Sequence, residues 1–370
     1  MAARVERETR MRTSYPVPVL ERFLLGFQGT SLPGELRELL AQGLAGVAIF
    51  PRNFTSLEGL RRLTGEIRNA AGRPVLIGTD QEGGTRFALK EPFTVWPTPT
   101  ELGLINDANL VERMARAMAQ ELRAVGCNLD FAPMLDLAVN PSSPVTLERS
   151  FGADGGKVAR LGVAFVRGLA AEGVLACAKH YPGHGDTQVD PHEDLPVFQG
   201  EMARLRGVEL VPFAGAIAAG VPVVMTAHIL LPKIDAEWPA SLSRRMLTGV
   251  LRQEMGFGGV ILADDLGMGA IARRYGAGEA AIAAFRAGTD IVALCHDWSA
   301  VRPAIEAVAK SYQRGTLDAA EGQTSHERTE RARVASESAR RETPSLDVVG
   351  GPEHRALADE IRARVAQADR

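Results

Sequence analysis

The sequence has few cysteines and few aromatic residues, and no strong excess of charge of either sign. Three cysteines occur in 370 residues, aromatic side chains make up 5%, and the formal net charge is -3. An odd number of cysteines without CxxC spacing argues against a disulfide framework or a structural zinc site, so we expect buried free thiols in a reducing compartment. The balanced charge argues against nucleic acid as the main partner.

Long apolar runs are also absent. No segment approaches the ~18 uninterrupted apolar residues that a membrane helix needs. The charged N-terminal segment 1–25 contains no apolar stretch long enough for a signal peptide. We therefore expect no membrane partner and, by default, a cytoplasmic protein.

Eight short apolar runs alternate with amphipathic, helix-like segments. They lie at 22–29, 46–53, 74–81, 128–137, 173–180, 221–229, 258–265 and 290–297. Continuous apolar strands that alternate with helices indicate a parallel sheet buried on both faces. Eight such units over ~250 residues are typical of an α/β protein with a closed (β/α)8 TIM-like barrel. An open, doubly wound sheet is the alternative, but it would bring fewer strand ends together.

Polar residues stand at the end of most of these runs. In a barrel, the C-terminal strand ends meet at one rim, where active sites lie. We predict that residues 1–310 form a single barrel domain. Residues 311–370 are rich in Arg, Glu and Ala, which favours a charged C-terminal extension that is helical or partly disordered.

The segment KHYPGHGDTQVDPH, residues 179–192, is the most informative: it holds three histidines, two aspartates and a lysine at the end of a strand-like run. Its prolines and glycines exclude a helix, so we expect a long polar loop above the barrel. Such a loop at the reactive rim is more often functional than merely solvated. Metal binding is a rival interpretation, although the intervening Pro and Gly prevent the helical zinc-binding geometry. The candidate ligands are His180, His184, Asp186, Asp190 and His192.

Two adjacent carboxylates end the strand-like run VILADDLGM, residues 260–268. Strand alternation sends Asp264 and Asp265 to opposite sides. We therefore expect one of them to face a substrate pocket and the other to cap the backbone or form a salt bridge.

Two further segments are weaker signals. In GTDQEGGTRF, residues 78–87, Asp80 and Glu82 precede a Gly-Gly turn. This is not a phosphate loop, because it lacks a lysine and a following Ser or Thr in register. In LERSFG, residues 147–152, Arg149 is a candidate for a loop that points into the cleft.

Together these segments resemble glycoside hydrolase family 3, and specifically its β-N-acetylglucosaminidases. The resemblance covers roughly residues 20–300. It rests on KHYPGHGDT followed by Asp-x-His, and on DDLGM, GVAIFPRN, TDQEGG, NLDFAPMLDL, ERSFG, VVMTAHI, PASLS and AGTDIV in the expected order. It implies a small carbohydrate substrate, such as an N-acetylglucosaminide or a muropeptide fragment from cell-wall (peptidoglycan) turnover, with no cofactor and no metal.

The resemblance also implies residue roles. Asp264 matches the catalytic nucleophile, His192 the acid/base, and Asp190 the partner that orients this histidine. The side chains that match the groups holding the sugar hydroxyls are Asp80, Arg149, Lys179 and His180.

Two positions depart from the family pattern. Pro191 stands where the family often has serine, and it should stiffen the loop around Asp190. Thr85 stands where many members have arginine, which concerns contacts with the aglycone, the group that leaves.

The implied reaction is retaining hydrolysis of terminal β-linked N-acetylglucosamine through a covalent glycosyl-aspartate. Histidine would replace the usual carboxylic acid, since its ordinary pKa near ~6.5 suits proton transfer at neutrality. A neutral histidine would not repel an anionic acceptor, so phosphate could replace water. The alternatives are a β-glucosidase-type family 3 enzyme, a metal-dependent barrel hydrolase and a noncatalytic sugar-binding protein.

Overall fold

Eight parallel strands close into a barrel in chain order, and the last strand pairs with the first. The computed structural model describes residues 19–87, 89–338 and 342–368. The strands are β1 (Phe23–Leu25), β2 (Gly46–Ala48), β3 (Leu76–Thr79), β4 (Leu129–Asp130), β5 (Leu175–Tyr181), β6 (Val223–Thr226), β7 (Val260–Asp265) and β8 (Ile291–Leu294). The predicted (β/α)8 barrel is therefore confirmed.

Helices cover the outside of the barrel. In the described residues they are α1 (Gly34–Ala41), α2 (Leu57–Ala71), α3 (Pro99–Ile105), α4 (Ala108–Ala124), α5 (Gly155–Ala171), α6 (Met202–Gly207), α7 (Val211–Ala218), a π-helix (Arg245–Glu254), α8 (Gly269–Ala272), α9 (Ala277–Ala287), α10 (Val301–Gln313), α11 (Ala319–Ser338) and α12 (Pro352–Ala368). Asp107 and Asp154 accept hydrogen bonds from the first backbone N–H groups of α4 and α5. Gly168 lets these two helices pack closely, because a Cβ there would lie 2.5 Å from Glu112 O.

All eight strands are shorter than the runs from which we predicted them. The run 128–137 forms regular strand only at Leu129–Asp130. Pro133 has no N–H to donate, although Leu135 N still donates to Lys179 O at 2.6 Å and keeps this segment beside β5. By contrast, the run at 173–180 forms β5, which extends to Tyr181. Lys179 and His180 therefore lie on the strand, as that run predicts, and the loop that we expected over 179–192 begins only after Tyr181.

The C-terminal extension is helical in its described part, as predicted. Helix α11 lies against the N-terminal end of the barrel, where Arg333 pairs with Glu21 at 3.1 Å and Arg328 pairs with Asp290 at 3.0 Å. Ala332 belongs to the apolar cluster inside the barrel. Helix α12 packs against α3 and α4, and Glu360 of α12 pairs with Arg113 of α4 at 2.8 Å. The domain boundary at residue 310 stays a prediction.

The remaining expectations concern thiols and membranes. All three cysteines are buried and free, as predicted. Across the described ranges, no helix has both the length and the apolar character that crossing a bilayer requires. Residues 1–18, which include most of the segment in which we predicted no signal peptide, lie outside the described residues.

Candidate active site

A cavity of about 300 Å³ opens at the C-terminal end of the barrel. All the predicted site residues line it, namely Asp80, Arg149, Lys179, His180, Asp190, His192 and Asp264. They come from the ends of β3, β5 and β7 and from the loops after β4 and β5. The closed barrel thus brings together groups that lie far apart in the sequence.

Four charged side chains form an ion cluster beside the cavity, namely Asp80, Glu82, Arg149 and Lys179. We call this group the floor cluster. Lys179 Nζ lies 2.5 Å from Asp80 Oδ1 and 2.7 Å from Glu82 Oε1. Arg149 forms a two-pronged pair with Glu82, at 2.8 Å and 2.7 Å. The ring of Phe87 lies under the Arg149 guanidinium, with 3.9 Å between the guanidinium carbon and the ring centre.

The electrostatics of the floor cluster follow from this pairing. Burial alone would raise the pKa of Glu82, but Arg149 and Lys179 outweigh it and lower the pKa to about 2. Burial alone would lower the pKa of Lys179, but Asp80 and Glu82 raise it above its ordinary value. Glu82 and Lys179 are therefore charged at neutral pH. Lys179 lines the cavity, and Glu82, which is not part of the lining, holds Lys179 and Arg149 in place.

His180 is oriented by a buried carboxylate to which we had assigned no role. Asp136 Oδ2 lies 2.7 Å from His180 Nδ1, and Asp136 Oδ1 accepts a hydrogen bond from His184 N at 2.6 Å. Burial tends to raise the pKa of Asp136, but His180 and His184 lower it overall. Asp136 ends the apolar run at 128–137, so its position at a strand end was the available signal.

Asp264 is the last residue but one of β7 and lines the cavity. Burial tends to raise its pKa, but nearby His180 and His228 outweigh burial and lower it. Asp264 Oδ1 also accepts a hydrogen bond from Asp265 N at 2.8 Å. An ionised carboxylate at the bottom of a cavity can attack an electrophilic carbon.

Asp265 has the second role that we predicted for the pair, because it caps backbone groups. Its Oδ1 accepts hydrogen bonds from Gly267 N at 2.9 Å and from Cys295 N at 3.2 Å. Its Oδ2 lies 2.6 Å from Nδ1 of His296, another residue of the cavity wall.

His228, which lies within the apolar run at 221–229, also lines the cavity. Its Nδ1 lies 2.7 Å from Ser241 Oγ and its Nε2 lies 3.1 Å from Asp265 O. Burial lowers the pKa of His228, so the ring is neutral near pH 7. Its contact with Asp265 O supports the turn after β7.

Asp190 and His192 form a pair on the loop after β5. Asp190 Oδ1 lies 2.8 Å from His192 Nδ1 and accepts a hydrogen bond from His192 N at 2.9 Å. Burial would raise the pKa of Asp190, but the backbone N–H and ring of His192 lower it overall. The carboxylate favours a proton on Nδ1, which leaves Nε2 for exchange with a bound molecule. The His192 side chain is 59% exposed, in contrast with the floor cluster.

The rival metal site is not supported by the arrangement of its donors. In residues 19–87, 89–338 and 342–368, no group of three His, Cys, Asp or Glu side chains could hold a metal ion. His180 is engaged by Asp136, and His184 Nδ1 lies 2.6 Å from Thr187 Oγ1. The candidate ligands thus bond to protein partners and do not converge.

The chain is similar to glycoside hydrolases in sequence and in structure. The family model for the glycosyl hydrolase family 3 N terminal domain matches residues 28–332. A beta-hexosaminidase of Stenotrophomonas maltophilia is 39% identical over 280 residues, which are 74% of this chain and 83% of the relative. The structure of a family 3 beta-N-acetylglucosaminidase from Paenibacillus sp. has a TM-score of 0.91 and 35% identity, and the match covers 95% of this chain and 69% of that chain. The structure of NagZ from Neisseria gonorrhoeae, in complex with N-trifluoroacetyl-D-glucosamine, has a TM-score of 0.77 and 29% identity, and the match covers 93% of this chain and 98% of that chain.

Proposed function

The chain belongs to glycosyl hydrolase family 3, and from this premise we propose that it removes β-linked N-acetylglucosamine from nonreducing ends through a covalent glycosyl-aspartate. The predicted enzyme class, a β-N-acetylhexosaminidase, is confirmed by relatives such as the beta-hexosaminidase of Stenotrophomonas maltophilia. The covalent mechanism, the residue roles and the natural aglycone are the finer parts of the proposal.

The observation that carries the proposal is the Asp190–His192 pair in the same cavity as Asp264. A retaining glycosidase needs a nucleophile on one face of the sugar and a proton donor beside the leaving oxygen. The position of Asp264 in the cavity and its lowered pKa support the first role. The contact of His192 with Asp190, which fixes the ring and its tautomer, supports the second role.

The reaction then proceeds in two steps. Asp264 attacks the anomeric carbon while His192 gives a proton to the leaving oxygen, so the glycosidic bond breaks as the ester bond forms. His192 next takes a proton from water, and the water oxygen attacks the same carbon and releases Asp264. The floor cluster and His180 hold the sugar hydroxyls during both steps.

For the natural substrate we propose fragments of the cell wall. The mouth of the cavity carries Arg86, which is exposed and pairs with no described carboxylate. A cation at the mouth suits an anionic aglycone, such as one with a lactyl or peptide carboxylate, better than a neutral sugar.

The proposal is tested with the p-nitrophenyl β-N-acetylglucosaminide. We expect the wild type to release nitrophenol, Asp264→Asn to abolish release, and His192→Gln to reduce it by about 10²-fold or more. A fluorinated glycosyl fluoride of N-acetylglucosamine, which slows the second step, should add one sugar mass to the wild type and none to Asp264→Asn. Turnover in Asp264→Asn would refute the covalent step.

The alternatives predict other outcomes in the same assays. Cleavage of the β-glucoside in place of the acetylglucosaminide would indicate the β-glucosidase branch, and loss of activity with a chelator would indicate a metal enzyme. Sugar binding without turnover would indicate a noncatalytic protein. A glycosyl phosphate product in phosphate buffer would show that phosphate replaces water.

A further inference from the structure

The acid/base loop, residues 182–195, docks on the segment that follows β7. Pro191 O accepts a hydrogen bond from Ala270 N at 3.0 Å. Beside this bond, Gly269 lies so close to the loop that a Cβ on it would be 2.4 Å from His192 O. Any side chain at position 269 would therefore clash with the loop backbone, so only glycine allows this close approach.

Two ion pairs tie the loop at its ends. Near its far end, Asp194 pairs with Arg274, which lies just after α8, at 2.7 Å. Near its start, Asp186 lies 3.6 Å from Arg204, which also pairs with the buried Glu209 at 2.7 Å. These contacts do not touch the cavity, yet they limit where the loop can place its histidine.

We infer that Gly269 and Arg274 are positioning residues that hold the acid/base loop over the cavity. Asp264 is the last residue but one of β7, and Gly269 follows the strand after one short turn. The same stretch of chain therefore sets the position of both the nucleophile and the proton donor. The consequence for catalysis rests on the proposed function, because it assigns proton transfer to His192.

Gly269→Ala is a selective probe of this docking. The backbone of Gly269 does not have the left-handed φ that excludes a side chain, and it is the first residue of α8. Alanine is a better helix former than glycine, so the variant loses nothing in local propensity. The atoms that a Cβ would meet are the backbone oxygens of His192 and Glu193 and the carbonyl carbon of His192. Gly34, the first residue of α1, has no atom within 4 Å of the corresponding Cβ, so Gly34→Ala is the matched control.

The kinetic test uses two β-N-acetylglucosaminides that differ only in the leaving group. A methyl glycoside needs protonation of its leaving oxygen, whereas a dinitrophenyl glycoside does not. For Gly269→Ala we expect kcat/KM to fall about 10- to 100-fold with the methyl glycoside and to change less than about threefold with the dinitrophenyl glycoside. Added azide should raise kcat with the dinitrophenyl glycoside, because it attacks the glycosyl-enzyme without a base. Gly34→Ala should match the wild type.

A second measurement does not depend on activity. Amide hydrogen exchange of the acid/base loop should be faster in Gly269→Ala than in Gly34→Ala. If amide exchange is faster in Gly269→Ala but the wild type is inactive, the proposed function is refuted and the docking of the loop on Gly269 still stands. Unchanged exchange, or an equal loss with both leaving groups, would overturn the positioning role of Gly269.

Arg274 is tested by exchanging the charges of its ion pair. We expect Arg274→Asp alone to reduce kcat/KM for the methyl glycoside about threefold to tenfold, since a like-charged pair repels the loop. The double variant Asp194→Arg/Arg274→Asp should restore most of the activity. Failure of the double variant to recover, together with unchanged hydrogen exchange in Arg274→Asp, would remove Arg274 from the inference.

Discussion

The floor cluster and the Asp190–His192 pair are both made of hydrogen-bonded charged or polar side chains, but they differ in exposure. The Lys179 side chain is 3% exposed and that of Glu82 is 1% exposed. The His192 side chain is 59% exposed and that of Asp190 is 33% exposed. The ion pairs of the floor cluster are thus buried in the barrel, whereas the Asp190–His192 pair lies on an exposed loop.

In the proposed function, this difference separates binding from proton transfer. Buried ion pairs have few alternative geometries, so the floor cluster would offer a bound sugar a fixed set of donors and acceptors. An exposed pair exchanges protons with solvent, as the proposed proton donor must. The predictions below test whether burial is the property that distinguishes the two regions.

The largest effect is expected at the floor cluster. Glu82→Gln removes the carboxylate that contacts both Arg149 and Lys179, and it leaves Arg149 without its two-pronged partner. We expect the free energy of unfolding to fall by about 3–5 kcal/mol, as for other broken buried pairs. Urea unfolding monitored by circular dichroism measures this change.

The matched control is Glu254→Gln, which breaks an exposed pair. Glu254 lies 2.7 Å from Arg206, and both side chains are about half exposed. We expect a loss of at most about 1 kcal/mol. Equal losses for the two variants would show that burial does not set the strength of the floor cluster.

The sequence predicted the parts of this comparison that depend on local pattern. Strand periodicity and polar strand ends marked Asp264 and Asp80, and the prolines and glycines after β5 marked a loop. The pairing of Glu82 with Arg149 could not be read in the same way, because it joins residues from two loops whose approach depends on barrel closure. The docking of Gly269 on the acid/base loop was missed for the same reason, since a single glycine after DDLGM has no pattern that names its neighbour.

The second prediction concerns stability at acid pH. Burial lowers the pKa of His184 to about 4 from an ordinary 6.5, so in this window the unfolded chain binds a proton that the folded protein does not. Stability is therefore full above about pH 6.5 and falls as the pH drops toward 4, by up to about 3 kcal/mol. For Glu82, whose folded pKa is about 2 against an ordinary 4.5, the corresponding stability is lost only as the pH falls below about 4.5.

A substitution of His184 distinguishes its pH window from that of Glu82. His184→Asn should flatten the dependence of the unfolding free energy on pH between about 6.5 and 4 and leave the steeper loss below it. A slope in His184→Asn that equals the wild-type slope would assign the upper window to other groups.

The smallest effect is expected at the mouth of the cavity, where the exposed Arg86 contrasts with the paired cations of the floor cluster. Arg86→Gln should raise KM for a muropeptide by about two- to fivefold, the size expected for an exposed charge pair, because it removes a cation that faces the anionic aglycone. The difference should shrink as salt is added, since exposed charges are screened over about 10 Å at 0.1 M. With the uncharged p-nitrophenyl glycoside the substitution should leave KM unchanged. The comparison of the two substrates thus separates an effect on the leaving group from an effect on the N-acetylglucosamine. If KM rises equally for both substrates at all salt concentrations, Arg86 contacts the sugar itself and the anionic aglycone loses its structural support.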